Sequence, residues 1–168
     1  MVSLAVTTMT RPLIDPKLKF NESKHVYKVG RKKLTSVTKF VKSFFEPFDE
    51  KKFARLVAAA RTRKGVKTTM RDVLNEWKQI ASEGTLVHAQ IEDYIRLCGS
   101  FDCPPVEGLH VKSIKGIEAV KQLYKDYEGA IFYPELRIYS EAMGLAGTID
   151  LLIITPDGEA VIVDWKTN

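Results

Sequence analysis

The chain has 168 residues, of which 45% are hydrophobic and 28% are charged, with 10 glycines and 7 prolines. These values are typical of one globular domain, and they exclude collagen-like and disordered chains. The apolar runs are far shorter than the about 18 residues that a membrane-spanning helix needs, so we expect a soluble protein with no membrane partner.

The net charge of +5 is distributed unevenly along the chain. Residues 1–100 contain 20 Lys and Arg and 10 Asp and Glu, whereas residues 101–168 contain 6 and 11, so the two parts carry +10 and −5. A basic part attracts a polyanion and an acidic part concentrates cations. The charge pattern is therefore compatible with a protein that contacts nucleic acid with one surface and binds a cation at another.

The two cysteines, Cys98 and Cys103, are too few for a disulfide framework, and we expect them to be reduced thiols of an intracellular protein. The N-terminus has neither a secretory pattern nor an Arg-rich presequence. We therefore expect the cytoplasm, or the host cytoplasm if the protein comes from a phage or virus, rather than the mitochondrion.

The first predicted elements are a hairpin and two helices. Alternating residues over 18–29 favour two short strands, followed by a second turn. Apolar residues at helical spacing predict a helix that begins after the capping residue Ser36 and ends before Pro47. A second helix is expected over 50–61, and residues 61–66 form a basic connection.

Three further helical segments follow, by their apolar spacing. One begins at Thr69, which has capping-box spacing to a later acidic residue, and is expected to stop at Gly84. The next covers about residues 85–97 and ends before a loop at 100–108. The last covers about residues 113–128.

The hydrophobic period then changes from about 3.6 to 2, which indicates strands. Three β-rich runs cover residues 131–139, 145–154 and 159–166, and the Thr-Pro-Asp-Gly turn at 155–158 joins the last two. The fold class predicted is α+β, with N-terminal helices followed by an antiparallel three-stranded meander.

Three acidic residues lie in these strand-like runs, where Asp and Glu are disfavoured unless they have a partner: Glu135, Asp150 and Asp164. If the strands pair about the 155–158 turn, Asp150 and Asp164 lie at the same height on neighbouring strands. Such a pair of carboxylates suits Mg²⁺ or Mn²⁺, and Glu135 can add a third.

The chemistry that this site supports is metal-assisted hydrolysis of a phosphodiester. Side chains alternate along a strand, so Asp164 and Lys166 lie on the same face. A lysine in that place orients the attacking water and stabilises the developing negative charge. An Asp-x-Lys triplet alone is not specific, but its combination with the Glu strand, the Gly-x-x-Asp strand and the tight turn is much rarer.

Glu135, the run Gly-Leu-Ala-Gly-Thr-Ile-Asp-Leu-Leu at 144–152 and the run Val-Ile-Val-Asp-Trp-Lys-Thr at 161–167 resemble the core motifs of the PD-(D/E)XK nuclease superfamily, in particular its RecB-like exonuclease branch. The upstream run Gly84-Thr85-Leu86-Val87-His88 resembles the helix of that branch that begins Gly-Thr-x-x-His. Residues 34–38 are similar to the start of the phage and mitochondrial genome-maintenance members.

The resemblance covers roughly residues 35–168, and it implies a nuclease domain with a restriction-endonuclease-like core at 35–168, preceded by an N-terminal arm and hairpin at 1–34. It implies that Asp150, Asp164 and the backbone carbonyl of Trp165 bind the metal. His88 would be an additional metal ligand, and Glu135 would contact the metal or a water molecule. Lys166 would position the nucleophilic water. Glu92 lies one turn after His88 on the same face, where it either orients the imidazole or forms a solvated pair.

Members of this branch continue past the lysine into a helix with a Gln-x-x-x-Tyr motif. The printed sequence ends two residues after Lys166. We therefore expect a domain that is incomplete at its C-terminus, and we favour a fragment of a longer protein that a further polypeptide segment completes. Two alternatives stay open: the missing part is supplied by another chain, or the protein is a degenerate homologue.

A basic run precedes the helix that leads to His88, and such a run either lines a phosphate track or forms a solvated loop. Its members are Arg61, Arg63, Lys64, Lys67 and Arg71. A second basic cluster is more simply interpreted as a solvated surface. That cluster consists of Lys28, Arg31, Lys32 and Lys33.

These observations predict a divalent-metal-dependent deoxyribonuclease. We expect an exonuclease acting on DNA ends or single strands in repair, recombination or viral genome processing. Two alternatives stay open at this point: a nuclease-like module that binds nucleic acid or a partner protein without cutting, and a restriction-type endonuclease.

Overall fold

The computed structural model describes residues 15–99, 103 and 106–166, and these divide into two compact units. The first contains residues 15–44 together with Leu136–Thr148, and the second contains Phe45–Glu135 together with residues 149–166. The boundary expected between residues 34 and 35 falls inside a strand of the first unit.

The first unit is built on three short antiparallel strands, β1 (Leu18–Asn21), β2 (Val26–Val29) and β3 (Lys32–Ser36). Tyr27 faces Leu34 in the register and both side chains are buried, while the Phe20 and Tyr27 rings stack with centroids 4.4 Å apart. The predicted hairpin at 18–29 is confirmed. The third strand extends it because side chains on the same face of neighbouring strands pack together.

A parallel pairing joins β3 to β5 (Leu145–Ile154) through Thr35 with Leu145 and Ser36 with Ala146. Ala146 is buried, and the hydroxyl groups of Tyr27 and Thr148 share a hydrogen bond of 2.9 Å. This parallel contact lies outside the predicted antiparallel meander, because it links segments more than 100 residues apart.

Helix α1 (Val37–Lys42) is shorter and more exposed than its apolar spacing predicts. The predicted cap is confirmed, since Ser36 Oγ accepts a hydrogen bond of 3.2 Å from the Lys39 N–H. The Ser43 hydroxyl donates to the Phe40 carbonyl at the other end. None of the six residues of α1, all of them described, is buried. An apolar face that is not buried does little to prolong a helix.

The second unit contains three longer helices, α2 (Glu50–Arg63), α3 (Met70–Cys98) and α4 (Val111–Asp126). The predicted basic connection at 61–66 is in part helical, because α2 continues to Arg63 and the chain turns at Gly65 with φ +85°. Ala54 and Ala58 of α2 pack against Val73 of α3 in a small buried cluster.

The expected helix stop at Gly84 is wrong, because α3 is one continuous helix of 29 residues. Gly84 lies in its interior. The predicted start is confirmed, since Thr69 and Asp72 form a capping box. An interior glycine costs about 1 kcal/mol relative to alanine. Buried residues on both sides of Gly84, such as Val73 and Val87, offset that cost by packing against different neighbours.

The C-terminal strands are β4 (Ile131–Ser140), β5 and β6 (Ala160–Val163). Hydrogen-bonded neighbours follow the order β1-β2-β3-β5-β4, and β6 pairs with β5 antiparallel, with Leu151 opposite Val163. The α+β class and the mostly antiparallel sheet are confirmed. The expected extension of the last strand to Lys166 is wrong, because regular pairing ends at Val163.

The core of the second unit lies between α3, α4 and β5. Its fully buried members include Ile91, Val120, Leu151 and Ile153. Gly116 of α4 lies against α3 so closely that a Cβ atom there would be 2.3 Å from Ile91 Cδ1. The glycine is therefore what allows these two helices to approach.

Cys98 and Cys103 form a disulfide with their Cα atoms 5.4 Å apart, so the expectation of two reduced thiols is wrong. Gly99, with φ +58°, ends α3 in a left-handed conformation. Most of the loop expected at 100–108 lies outside the described residues. No helix among the described residues is long and apolar enough to cross a membrane.

Candidate metal centre

Three side chains that the sequence singles out come together in the second unit. His88 of α3, Glu135 of β4 and Asp150 of β5 each offer a ligand atom, and these atoms lie within 4.8 Å of one another. All three residues are partly buried. Within the described residues, these three side chains form the one group of acidic and imidazole side chains that could hold a metal ion.

His88 is placed by the face of α3 on which it lies. Its neighbours Val87 and Ile91 are buried in the core, so that the helix is held against β5 at this level. His88 Nδ1 lies 3.6 Å from Asp150 Oδ2, and the two side chains are 31% and 20% exposed. The imidazole is thus accessible from solvent while its helix is fixed.

Glu135 has an unusual backbone for a residue within a strand, with φ +48°. A left-handed conformation costs a residue with a Cβ about 1–2 kcal/mol. Strain of this kind is concentrated at functional sites, where the surrounding structure enforces it. The strained backbone is a second observation, separate from the clustering of ligand atoms, that distinguishes this position.

Asp150 is held by the segment that follows β6. Its Oδ2 atom accepts a hydrogen bond of 2.9 Å from the Trp165 backbone N–H. Leu151 pairs with Val163, the last residue of β6, so Asp164 follows directly after the regular pairing. What the structure shows of Trp165 is this N–H contact, whereas the resemblance assigns a role to its carbonyl.

Asp164 and Lys166 are both exposed and are bonded to each other, with Lys166 Nζ 2.6 Å from Asp164 Oδ2. Among the described residues, Asp164 is outside the group that His88, Glu135 and Asp150 form. The hydrogen bond that Lys166 donates to the Asp164 carboxylate raises the pKa of Lys166, and the charges of Asp164 and Asp150 act in the same direction. Lys166 is therefore a cation at neutral pH.

In the structure the partner of Glu92 is Arg96 and not His88. Its Oε1 atom accepts a hydrogen bond of 2.8 Å from Arg96 Nε, one turn further along α3. Of the two roles left open for Glu92, this contact corresponds to the pair on the helix surface rather than to orientation of the imidazole.

A pocket of about 340 Å³ adjoins this region within the second unit, lined by Trp165, Lys166 and one face of α4. Lys112 and Lys115 contribute from that face. Lys112 Nζ bonds Glu83 at 2.9 Å, a contact that lowers the pKa of Glu83. Neither lysine is among the predicted site residues. Their signal in the sequence is the spacing i, i+3, i+4, i+7 that they form with Gly116 and Ala119, which places all four on one helix face.

The predicted phosphate track at 61–71 is partly occupied by a protein contact. Arg61 donates two hydrogen bonds to the Glu76 carboxylate, at 2.5 and 3.1 Å, and this pairing lowers the pKa of Glu76. The other four members are exposed: Arg63, Lys64, Lys67 and Arg71. Arg61 thus braces α2 against α3, and the remaining four stay a prediction.

No family model matches the chain, and neither the curated proteins nor the solved structures contain a significant match.

Proposed function

We propose that the protein is a divalent-metal-dependent nuclease, with His88, Glu135 and Asp150 at its metal centre. The observation that carries this proposal is the convergence of these three side chains from a helix and two strands to within 4.8 Å. Distances of this order suit simultaneous coordination of one small cation. The resemblance of the surrounding motifs to the PD-(D/E)XK superfamily supports the same assignment, with a restriction-endonuclease-like core.

The donor set fits a hard or borderline divalent cation. Two carboxylates provide the oxygen ligands that Mg²⁺ and Mn²⁺ prefer, whereas an imidazole is better suited to Mn²⁺ and later transition metals. We therefore favour Mn²⁺ over Mg²⁺ at this centre. A bound divalent cation would polarise a phosphate oxygen and lower the pKa of a water molecule.

The chain's own residues have defined roles in this proposal. The ammonium of Lys166 donates hydrogen bonds and stabilises negative charge on the phosphate, and its raised pKa makes it unsuitable as a proton acceptor. The Trp165 N–H holds the Asp150 carboxylate in place. For Asp164 to become a ligand, as the resemblance implies, it would have to exchange Lys166 for the metal.

The adjoining pocket offers a place for the nucleotide next to the scissile bond. It combines an aromatic ring, Trp165, with the ammonium groups of Lys115 and Lys166. Aromatic rings stack on bases, and lysines bind phosphates. The resemblance to the RecB-like exonuclease branch supports an exonuclease that acts on DNA ends or single strands.

The test measures metal binding and cleavage separately. Mn²⁺ binding is followed by calorimetry, and cleavage by release of label from linear and covalently closed circular DNA. Asp150→Asn is expected to weaken Mn²⁺ binding by about 10-fold or more and to abolish cleavage, because it removes a charged ligand. Asp93→Asn, which makes the same change at an exposed position of α3, should leave both unchanged.

Unaltered Mn²⁺ affinity in Asp150→Asn would refute the metal centre. Lys166→Gln is expected to lose cleavage while Mn²⁺ still binds, because its role is toward the phosphate. Cleavage of closed circles would assign an endonuclease instead of an exonuclease.

A second candidate function is a module that binds nucleic acid without cutting it. The pairing of Asp164 with Lys166 favours this possibility, because it engages both residues of the Asp-x-Lys motif with each other. Salt-sensitive DNA binding by a chain that binds Mn²⁺ but releases no label would support this candidate over the nuclease.

A further inference from the structure

The first unit is strongly basic. Its described residues, 15–44 with Leu136–Thr148, contain ten Lys and Arg but three Asp and Glu, a net charge of +7 in 43 residues. Two of the three acidic side chains have partners within the unit: Asp15 accepts from the Tyr139 hydroxyl and the Lys17 backbone N–H, and Glu22 pairs with Arg137. The excess positive charge is therefore larger than the whole chain's +5 suggests.

Three lysines face one another across the strands of this unit. Lys19 pairs with Lys28 in the register of β1 and β2, and Lys28 pairs with Lys33 in the register of β2 and β3. All three are exposed, on the face opposite the buried Tyr27 and Leu34. Like charges directly opposite each other destabilise a sheet. A bound polyanion would remove this repulsion.

A groove of about 730 Å³ begins at the last of these lysines. Lys24, Lys33, Lys39 and Lys42 line it, and none of the described residues in its lining is acidic. The structure assigns no ion pair to these four ammonium groups within the described part of the chain. The groove thus concentrates positive charge that the protein itself does not neutralise.

The other groups in the lining suit a phosphate backbone better than bases. Hydroxyl groups of Thr35, Ser36 and Thr38 line the groove and can donate to phosphate oxygens. His25 is the one aromatic ring among the described lining residues, so the groove has no row of rings on which successive bases could stack.

We propose that this groove and the adjoining lysine ladder, Lys19, Lys28 and Lys33, bind the phosphate backbone of a nucleic acid without reading its sequence. Contacts to phosphates position a nucleic acid but carry no base information. The basic cluster that includes Lys28 and Lys33 is then a binding surface rather than a merely solvated one. The proposal does not depend on nuclease activity, because it concerns binding by the first unit alone.

The test is the salt dependence of binding to a fluorescent DNA duplex, measured by anisotropy in the presence of a chelator so that no cleavage occurs. Each lysine that neutralises one phosphate contributes about 0.9 to the slope of log K against log salt. The triple variant Lys33→Gln, Lys39→Gln, Lys42→Gln should therefore lower the slope by about 2.7 and weaken binding on the order of 100-fold near ~0.1 M salt.

The matched control is Lys51→Gln, Lys52→Gln, Lys78→Gln, which removes the same charge from exposed positions on α2 and α3. It should leave the slope within about 1 of the wild type. An unchanged slope in the groove variant, or an equal loss in both triple variants, would overturn the proposal. So would competition by polyglutamate as effective as that by DNA at equal charge, since the groove would then accept any polyanion.

If circular dichroism shows that the triple variant is unfolded, the single variants Lys33→Gln and Lys42→Gln are measured instead. Each should lower the slope by about 0.9. Two folded single variants with wild-type slopes would equally overturn the proposal. If the wild-type protein binds DNA but does not cleave it when Mn²⁺ is supplied, the proposed nuclease function is wrong and the proposed groove is not affected.

Discussion

Replacing Gly84 by alanine tests whether α3 is one helix. A continuous helix and a helix interrupted at Gly84 predict changes of opposite sign in the free energy of unfolding. Gly84 lies within the 29 residues of α3. In a helix interior alanine is more favourable than glycine by about 1 kcal/mol, so Gly84→Ala should raise the free energy of unfolding by that amount and the Tm by about 2–4 °C. If Gly84 ended a helix with a left-handed backbone, alanine would instead cost about 1–2 kcal/mol.

Gly116→Ala in α4 is the matched comparison, because it makes the same change at a helix position where the new Cβ would meet Ile91. The new Cβ would lie 2.3 Å from Ile91 Cδ1 and 3.0 Å from Ile91 Cγ1, and Ile91 is buried. Overpacking costs about 1–3 kcal/mol, which equals or exceeds the gain in helix propensity. Adding Ile91→Val removes the Cδ1 atom, so the double variant should recover part of the loss.

Urea denaturation followed by circular dichroism measures all of these variants. A loss of about 1 kcal/mol or more in Gly84→Ala would refute the continuous helix. A gain in Gly116→Ala, or no recovery on adding Ile91→Val, would refute the close packing of α3 against α4.

Three further outcomes follow from local contacts. Thr69→Ala should cost about 1 kcal/mol at neutral pH, since it removes a helix cap. The hydrogen bonds with Thr69 lower the pKa of Asp72, so this contact stabilises the fold above the usual pKa of a carboxyl group. The stabilisation is lost as the pH falls through the lowered pKa. Urea denaturation should therefore show that the free energies of unfolding of the variant and the wild type converge in acid. Burial raises the pKa of Tyr124 to about 12, and the charge of Tyr94 acts in the same direction. Tyr124→Phe should therefore remove the tyrosine ionisation step at the highest pH of an ultraviolet titration. It should not lower stability, because within the described chain the buried hydroxyl has no hydrogen-bond partner. Arg61→Gln should raise the pKa of Glu76 toward its usual value in an NMR titration, with little change in stability, because the pair is exposed.

The features of the fold that could be predicted from the sequence are those set by neighbouring residues. Ser36 and Thr69 cap helices through hydrogen bonds to residues three positions later, and the 155–158 turn sets the register of β5 with β6. The parallel contact of β3 with β5 joins distant segments and leaves no local signal. The predicted helix stop at Gly84 was wrong for the converse reason. Packing of the residues on both sides of Gly84 outweighs the low helix propensity of glycine.

The candidate site was predictable in composition but not in arrangement. Acidic residues in apolar strands pointed to Glu135 and Asp150, and the resemblance added His88. That Asp164 pairs with Lys166, and Glu92 with Arg96, depends on side-chain positions that spacing does not determine.

The basic surfaces could not be predicted from charge counts, because they depend on which charges the fold leaves unpaired. Arg61 belonged to the predicted basic run, yet Glu76 occupies its guanidinium. Lys33 belonged to the cluster that was interpreted as solvated, yet it lies where a lysine ladder meets a groove. Counting charges along the chain cannot separate these two cases.

The left-handed backbone at Glu135 has a consequence for engineering this protein. A screen that selects only for heat resistance would favour glycine or asparagine at that position, because both tolerate a positive φ better than glutamate does. Either replacement would remove a carboxylate from the proposed metal centre. Libraries aimed at thermostability should therefore keep position 135 constant, and a stabilised variant altered there should be suspected of having exchanged activity for robustness.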